Sequence, residues 1–445
     1  MTEATPQSLY FRGGVHIHQG EELSNECAIK DAPLLDKYIV ALQQHIGAPA
    51  KLAVKKGDTV KKGQLIASPG GFVSSPIHSP TSGTISAILM NPGPMGVDVQ
   101  SVEITSDGDD EWGSGLEPIS DWQNADAGDL KQRVGDAGIV GMGGAAFPAF
   151  VKLSPPPEKT IDTLVLNGAE CEPYLTADNR LMLEFPEKVI EGSAILAKIL
   201  GVKNIFIGVE DNKAEAIKAL KAKGKEFGVQ TQALRVMYPQ GAEKQLIYAL
   251  TGKRVPNGGL PMEAGCVVQN VGTAAAVYDA VKEGKPLIER ITTVTGEPIV
   301  NPGNWRFRLG TPVFKALELA GGVKEAPAKV IMGGPMMGFA QTTLDITVMK
   351  NTSGILLLSK DDVKQYENKA CIRCGKCVDT CPMDLMPATL STQIENERFD
   401  LAEQTHVMSC IECGSCAFVC PSYRPLVQHF RRAKSEIIAE RRKNS

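Results

Sequence analysis

The run Cys371-Ile372-Arg373-Cys374-Gly375-Lys376-Cys377-Val378-Asp379-Thr380-Cys381-Pro382 decides how this chain is read. Its spacing returns at Cys410, Cys413, Cys416 and Cys420, followed by Pro421. Eight of the eleven cysteines therefore belong to two copies of one pattern. Three thiolates at two-residue intervals wrap one face of an iron–sulfur cube. A fourth cysteine three residues on, before a proline, points towards a neighbouring cube.

In two-cluster ferredoxins that fourth cysteine ligates the other cluster. The expected sets are Cys371, Cys374, Cys377 and Cys420 for one 4Fe–4S cluster, and Cys410, Cys413, Cys416 and Cys381 for the second. Disulfides fit poorly, because Met1 to Tyr10 lacks the basic-then-apolar pattern of an export signal. Zinc usually takes two Cys-x-x-Cys knuckles rather than four thiolates in one run.

A chain of 445 residues is too long for one core, so several domains are expected. Its 43% apolar content is ordinary for a globular protein, and a net charge of -4 argues against a general nucleic-acid partner. No apolar run reaches the ~18 residues that cross a bilayer, so no transmembrane segment is expected. The reading is a soluble protein of a reducing cytoplasm, with attachment to a membrane through a partner left open.

Working outward, residues 1–40 read as an extended lead-in, with His16 and His18 alternating with apolar residues in a strand-like way. Residues 41–105 carry short β-rich pieces punctuated by Gly57, Gly63 and Pro80, which predicts a small β-sandwich. This stretch resembles biotinyl/lipoyl-type domains. The hairpin Ser68 to Ser75 lacks their acceptor lysine, so a structural role is expected and not a swinging arm. Residues 106–128, with Asp107, Asp109, Asp110 and Glu111, read as a solvated acidic linker.

Residues 129–285 alternate apolar strands, at 163–167 and 204–209, with helical patterns such as 213–223. That alternation predicts an α/β domain with a parallel sheet, whose ligands lie outside the carboxyl ends of the strands. Residues 286–357 read as a small α+β unit with a helix over 313–320. Met336 and Met337 could touch a cofactor, but core packing is the expectation for such residues. Residues 358–427 hold the cysteine runs, with helices expected over 388–394 and 399–404 between them. Residues 428–445 form a basic helical tail. Its Arg431, Arg432, Lys434, Arg441, Arg442 and Lys443 suit an acidic partner, an anionic surface or plain solvation.

Four segments of the 129–285 domain carry cofactor chemistry. Gly141-Met142-Gly143-Gly144-Ala145-Ala146-Phe147-Pro148 lets backbone approach a phosphate closely, with Lys152 adding a positive charge. Asn167-Gly168-Ala169-Glu170-Cys171-Glu172-Pro173 follows a strand. Tyr238-Pro239-Gln240-Gly241-Ala242-Glu243-Lys244 and Val267 to Thr273, with Asn270, complete the set. Asn, Thr and backbone amides suit a ribityl phosphate, and carboxylates suit ribose hydroxyls. Each could be an ordinary strand-to-helix loop; together, beside two clusters, they point to a flavin site.

On these motifs the 129–285 domain resembles the NADH-binding flavoprotein subunit of respiratory complex I. From about Phe11 to Pro421 the chain is similar to the C subunits of Rnf electron-transport complexes. The resemblance implies a multidomain α/β and α+β protein: a lipoyl-like barrel-sandwich hybrid, a Rossmann-like FMN-binding domain, an SLBB-like β-grasp domain and an α-helical ferredoxin domain. It implies non-covalent FMN on Gly141, Gly143, Gly144, Lys152, Asn167 and Glu170, with Asn270 and Thr273 at the phosphate end. Tyr238 and Gly241 line the same site. Phe147 would stack on the adenine of NADH, and Glu172 and Glu243 would face the dinucleotide. The cofactor does the chemistry, so no catalytic side chain is expected, although Glu170 and Glu172 lie near the flavin and nicotinamide.

Met142 stands where the complex I loop usually has Arg, Ala146 replaces a Gly, and Ala169 and Ala242 each replace an acidic residue. Pro155 stands where that subunit has a second aromatic. The implied activity is NADH oxidation with single electrons leaving through both clusters. The implied partners are membrane subunits and a ferredoxin-like subunit, on the cytoplasmic side of a bacterial cell membrane. The partners would move the coupled sodium ions or protons. A cobalamin reductase of bacterial microcompartments shares the layout. A ferredoxin-type relay scaffold without dehydrogenase activity is the alternative outside that chemistry.

Overall fold

A computed structural model describes residues 9–363 and 366–444. Met1 to Ser8, on which the absence of an export signal mostly rests, lie outside the described residues. So do residues 364–365 of the ferredoxin range and Ser445 of the tail.

The middle of the chain builds a four-stranded parallel sheet in the order Val229–Leu234, Asn204–Glu210, Thr163–Gly168, Cys266–Asn270. Leu164 and Leu166 pack into one core with Ile190, Ile195 and Val277. Val165, between them, packs into another with Leu246, Ile247 and Val268. Both faces are therefore covered, which is why the strand reads as an unbroken apolar run. The chain starts at Thr163–Gly168, adds two strands on one side, then crosses to Cys266–Asn270 on the other. The sheet reverses between these two strands, and such a switch point is where open α/β sheets bind ligands.

Residues 37–106 form two small antiparallel sheets packed on Tyr38, Val40, Ile66, Ile77, Ile85, Val102 and Ile104. The third sheet has six strands, in the order Ile29–Asp31, Gly303–Arg308, Glu289–Thr295, Gly354–Leu358, Lys329–Met332, Phe339–Gln341. The helix Val313–Leu319 covers one face. The cysteine runs sit among short helices and the long helix Leu426–Asn444, whose Phe430, Ala433 and Ile437 pack on Leu390, Ile394 and Val407.

Three expectations change. The lead-in is not a separate unit: Leu9 bridges Leu234, Val15 bridges Tyr238, and the next strands join two different sheets. No strand forms at His16 or His18, and the latter faces Glu22 at 3.2 Å. Most of the acidic stretch is exposed as expected, Asp107, Asp109 and Glu111 included, but it is stitched down at Asp110 and Trp122. Asp110 accepts from Arg308 at 2.7 Å and Lys62 at 2.8 Å, and Trp122 is buried with its Nε1 donating to Glu191 at 2.7 Å. Burial would push the Asp110 carboxyl up, but these two cations outweigh it and hold it at about 2.

The tail helix is present, but its cations are largely consumed inside the molecule. Arg431 and Lys434 both bind Glu412 at 2.7 Å, Arg432 binds Glu397 at 2.8 Å, and Arg441 pairs with Glu403. Lys350 joins three domains. It is fully buried and donates to Ser75 Oγ at 3.2 Å and to the carbonyls of Pro76 and Gly138 at 2.8 Å each. Burial pushes its ammonium down to about 7.

Candidate functional site

The carboxyl ends of Thr163–Gly168 and Cys266–Asn270 open the crevice, with Asn167 and Asn270 opposite each other in register. Asn270 caps the helix Val271–Lys282 by accepting from the Gly272 N–H at 2.8 Å, and donates through Nδ2 to Asp178 at 2.6 Å. Asn167 donates to the Gly241 carbonyl at 2.8 Å and accepts from the Ala169 N–H at 3.0 Å. Two of the expected site residues, Asn167 and Gly241, are thus bonded to each other, and Asn270 is wired to the neighbouring helix start.

The glycine loop lies over this floor. A Cβ on Gly143 would meet Asn270 Nδ2 at 2.9 Å, so the close approach needs glycine; Gly144 faces open space. Ala146 adopts φ 54°, the left-handed conformation that a glycine takes without strain and a Cβ makes costly. The Met142 N–H donates to Thr273 Oγ1 at 3.0 Å, and Thr273 donates on to the Val140 carbonyl at 3.3 Å. Thr273 therefore props the loop from beneath. The helix after the loop is a single turn, Ala149–Lys152. Phe147 is half-buried at the end of the loop, its carbonyl accepting from Gly141 at 2.8 Å. Lys152 pairs with Glu243 and donates to the Val268 carbonyl at 3.1 Å.

The carboxylates divide by environment. Glu170 accepts from the Asp178 and Asn179 N–H groups at 2.9 Å each, closing the start of the helix Ala177–Glu184; burial and the Asp178 carboxylate push it up. Glu172 is pushed up by burial to about 7, against the Met336 and Met337 N–H groups that favour its charged form. Sequence reasoning missed Arg290 and Asp178. Arg290 reaches from the six-stranded sheet, fully buried, to donate to the Met142 carbonyl at 2.9 Å. No local pattern marks a residue whose partner lies 148 positions away.

All eleven cysteines are free, and among the described residues no group of three or more His, Cys, Asp or Glu could hold a single metal ion. The thiols instead line two cavities. One is lined by Cys381, Cys410, Cys413 and Cys416, the other by Cys371, Cys374, Cys377 and Cys420. These are the two crossed sets. A cube with four thiolate corners fits that donor set better than one ion does. Burial, then the other thiols of the same set, pushes Cys416 up, and Cys410 rises to about 11.

The first of these cavities is fastened to the crevice. Tyr238 Oη donates to the Cys413 carbonyl at 2.8 Å, and the Gly241 N–H donates to Cys171 Sγ at 3.3 Å. Val15, Cys171, Tyr238 and Cys413 form one buried apolar cluster, with Met336 and Ile411 against it. Gln245 adds a bond to the Pro382 carbonyl at 2.9 Å. The second cavity lies at the surface, where Cys371 and Cys374 are exposed and Ile372 is 67% exposed.

Known families match four successive stretches of the chain. An RnfC barrel sandwich hybrid domain matches residues 9–109, a Nuo51 FMN-binding domain 134–279, an SLBB domain 291–340 and a 4Fe-4S dicluster domain 364–439. The FMN-binding and dicluster matches bear out the expected cofactors, FMN and two 4Fe–4S clusters. Crystal structures of an NAD+-reducing [NiFe]-hydrogenase, H2-reduced and air-oxidized, share the fold. Their TM-scores are 0.52 and 0.50 at 19% identity, covering 74% and 71% of this chain and 69% and 64% of theirs.

Among relatives, the C subunit of the proton-translocating ferredoxin:NAD(+) oxidoreductase complex of Clostridium ljungdahlii is 50% identical over 427 residues, 96% of this chain and 93% of its own length. The C subunit of the Na(+)-translocating complex of Acetobacterium woodii is 48% identical over 436 residues, 98% of each. Its counterpart in the ion-translocating oxidoreductase complex of Rhodobacter capsulatus is 42% identical, over 97% of this chain and 84% of its own. With that identity sustained from one end to the other, the chain belongs to the family of C subunits of ion-translocating ferredoxin:NAD(+) oxidoreductase complexes, which are oxidoreductases.

Proposed function

We propose that this chain is the NADH-oxidising, electron-input subunit of such a complex, with FMN in the crevice and the two 4Fe–4S clusters leading outward. The Tyr238–Cys413 contact carries the reading: a buried, hydrogen-bonded seam joins the crevice to one cysteine cavity. The other cavity opens at the surface. When bound, the flavin accepts a hydride and yields single electrons, which the clusters pass on one at a time.

The protein's own part is to bind, orient and exclude water. Gly143 and Gly144 give the backbone close approach, while Asn270 and Arg290 hold the loop and floor in place. Lys152, now paired with Glu243, supplies the positive charge near the flavin. Phe147 offers a stacking face, and Glu172 and Glu243 accept from ribose hydroxyls. A hydride carries its own electron pair, so its transfer would need no side-chain acid or base; once both electrons have left, the one remaining proton would pass to solvent. Val15, Cys171, Tyr238 and Met336 keep the seam to Cys413 dry.

The order is crevice, then the Cys381/Cys410/Cys413/Cys416 cavity, then the Cys371/Cys374/Cys377/Cys420 cavity, then a partner subunit. Membrane subunits and a ferredoxin-like subunit are the partners this reading assigns, on the cytoplasmic side of the membrane. No helix among the described residues is long and apolar enough to cross it. An anaerobic absorbance spectrum of the isolated, loaded chain tests the order. NADH is expected to bleach flavin and cluster bands together; bleached flavin with untouched clusters would sink it.

A further inference from the structure

The six-stranded sheet sends one loop into the crevice. Met332-Gly333-Gly334-Pro335-Met336-Met337-Gly338 connects the strands Lys329–Met332 and Phe339–Gln341. The Gly338 N–H donates to the Gly334 carbonyl at 2.9 Å, closing the loop, and the Gly333 N–H pins it to the Gly354 carbonyl at 2.7 Å. So closed, it turns the Met336 N–H onto Glu172 Oε2 at 3.0 Å, and the Met337 N–H bonds the same side chain. Gly334 lies flat against that carboxylate. A Cβ there would stand 2.3 Å from Glu172 Oε2 and 2.7 Å from Glu172 Cβ.

Two peptide N–H groups on one carboxylate fix its rotamer and favour its charged form. The far side of the loop meets the cluster-bearing region. Met336 packs against the seam of Cys171, Tyr238 and Cys413, and its Cε lies 3.6 Å from where a Gly414 Cβ would be. Packing alone would ask for side-chain volume at this contact. The loop presents bare glycine and amides, which is what a carboxylate needs to be aimed.

We propose that this loop is a positioning element of the dinucleotide site: the β-grasp domain aims Glu172 at the dinucleotide through the N–H groups of Met336 and Met337. The inference rests on the NADH reading above. The Glu172 carboxylate accepts from a ribose hydroxyl of the bound dinucleotide, and that bond is lost when the loop lets the side chain swing.

Equilibrium dialysis of NAD+ against the full, cofactor-loaded chain reads binding without turnover. Glu172→Gln and Gly334→Ala are each expected to raise the Kd about tenfold, the loss of one hydrogen bond to a charged group. The double variant should bind no worse than either single one, because the loop acts only through Glu172. Met337→Pro, which deletes the other N–H without crowding position 334 or removing the Met336 packing, should reproduce Gly334→Ala. Flavin content and cluster absorbance should equal those of the unaltered chain in every variant.

An unchanged Kd in Gly334→Ala and Met337→Pro overturns the proposal, as does additivity in the double variant. Loss of flavin or clusters from the loop variants overturns it too, since the loop would then be a general prop. An unaltered chain that fails to bind NAD+ removes the NADH reading itself, whereas normal binding with indifferent variants removes the loop alone.

Discussion

The two cysteine runs share a backbone and differ in what surrounds it. Arg373 and Glu412 occupy the same place and take φ 56° and 58°; Gly375 and Gly414 take 78° and 80°; Asp384 and Tyr423 take 53° and 49°. In each run the N–H of that first residue points back at the leading sulfur, at 3.4 Å to Cys371 and 3.3 Å to Cys410. Around the first run, Ile372, Arg373 and Lys376 face solvent. In the second, Ile411 joins the seam and Glu412 is held by Arg431 and Lys434. Spacing sets how a run grips its centre. The residues between the cysteines decide whether that centre is shut inside or offered to another protein.

The sharpest way to break this contrast is Cys413→Ser against Cys374→Ser. Each should lose about half of the cluster iron. After Cys413→Ser, NADH is expected to bleach flavin but not the surviving cluster; after Cys374→Ser it should still bleach both flavin and the remaining cluster. Identical behaviour in the anaerobic spectra would erase the inner and outer roles. Next, Cys420→Ser should behave like Cys374→Ser, and Cys381→Ser like Cys413→Ser, because partners are set by cavity. Grouping by run instead would undo the crossing.

Tyr238→Phe tests the seam more gently. Removing the hydroxyl leaves the Cys413 carbonyl without its donor and is expected to cost about 1 kcal/mol of stability. Stopped-flow absorbance should show cluster bleaching slowed several-fold with flavin bleaching unaltered. Cluster kinetics like those of the unaltered chain would mean the seam is only structural. The smallest effect belongs to Arg373→Glu at the exposed run. Its spectra should be unaltered, while exchange with an external carrier protein changes its dependence on ionic strength. A flat salt response would detach the basic rim from partner exchange.

Local regularity carried much of this into the sequence. Repeated cysteine spacing, an apolar strand covered on both faces and glycines before a helix can each be read within about ten residues. The strand Thr163–Gly168 and the helix Phe399–Gln404 fall where the pattern places them. What the sequence hid depends on partners far along the chain. Asp110 reads as solvated until Arg308 arrives, 198 positions on. The tail cations read as free until Glu397, Glu403 and Glu412 are seen beneath them. Arg290 and the 333–338 loop sit in one domain and act on another, so their role has no local signature.

One consequence follows from the way the start of the chain is laid down. The Leu9 N–H donates to the Ala233 carbonyl and the Gly14 N–H to the Thr380 carbonyl, and Ile29 lies beside Asn304. Each of these partners leaves the ribosome long after the segment it receives. Residues 9–31 therefore cannot take up these bonds until those distant partners exist, a closure of high contact order that is expected to be slow. The ribbon of residues 9–41 ties three sheets and the cysteine region together, as a lace drawn through eyelets set far apart.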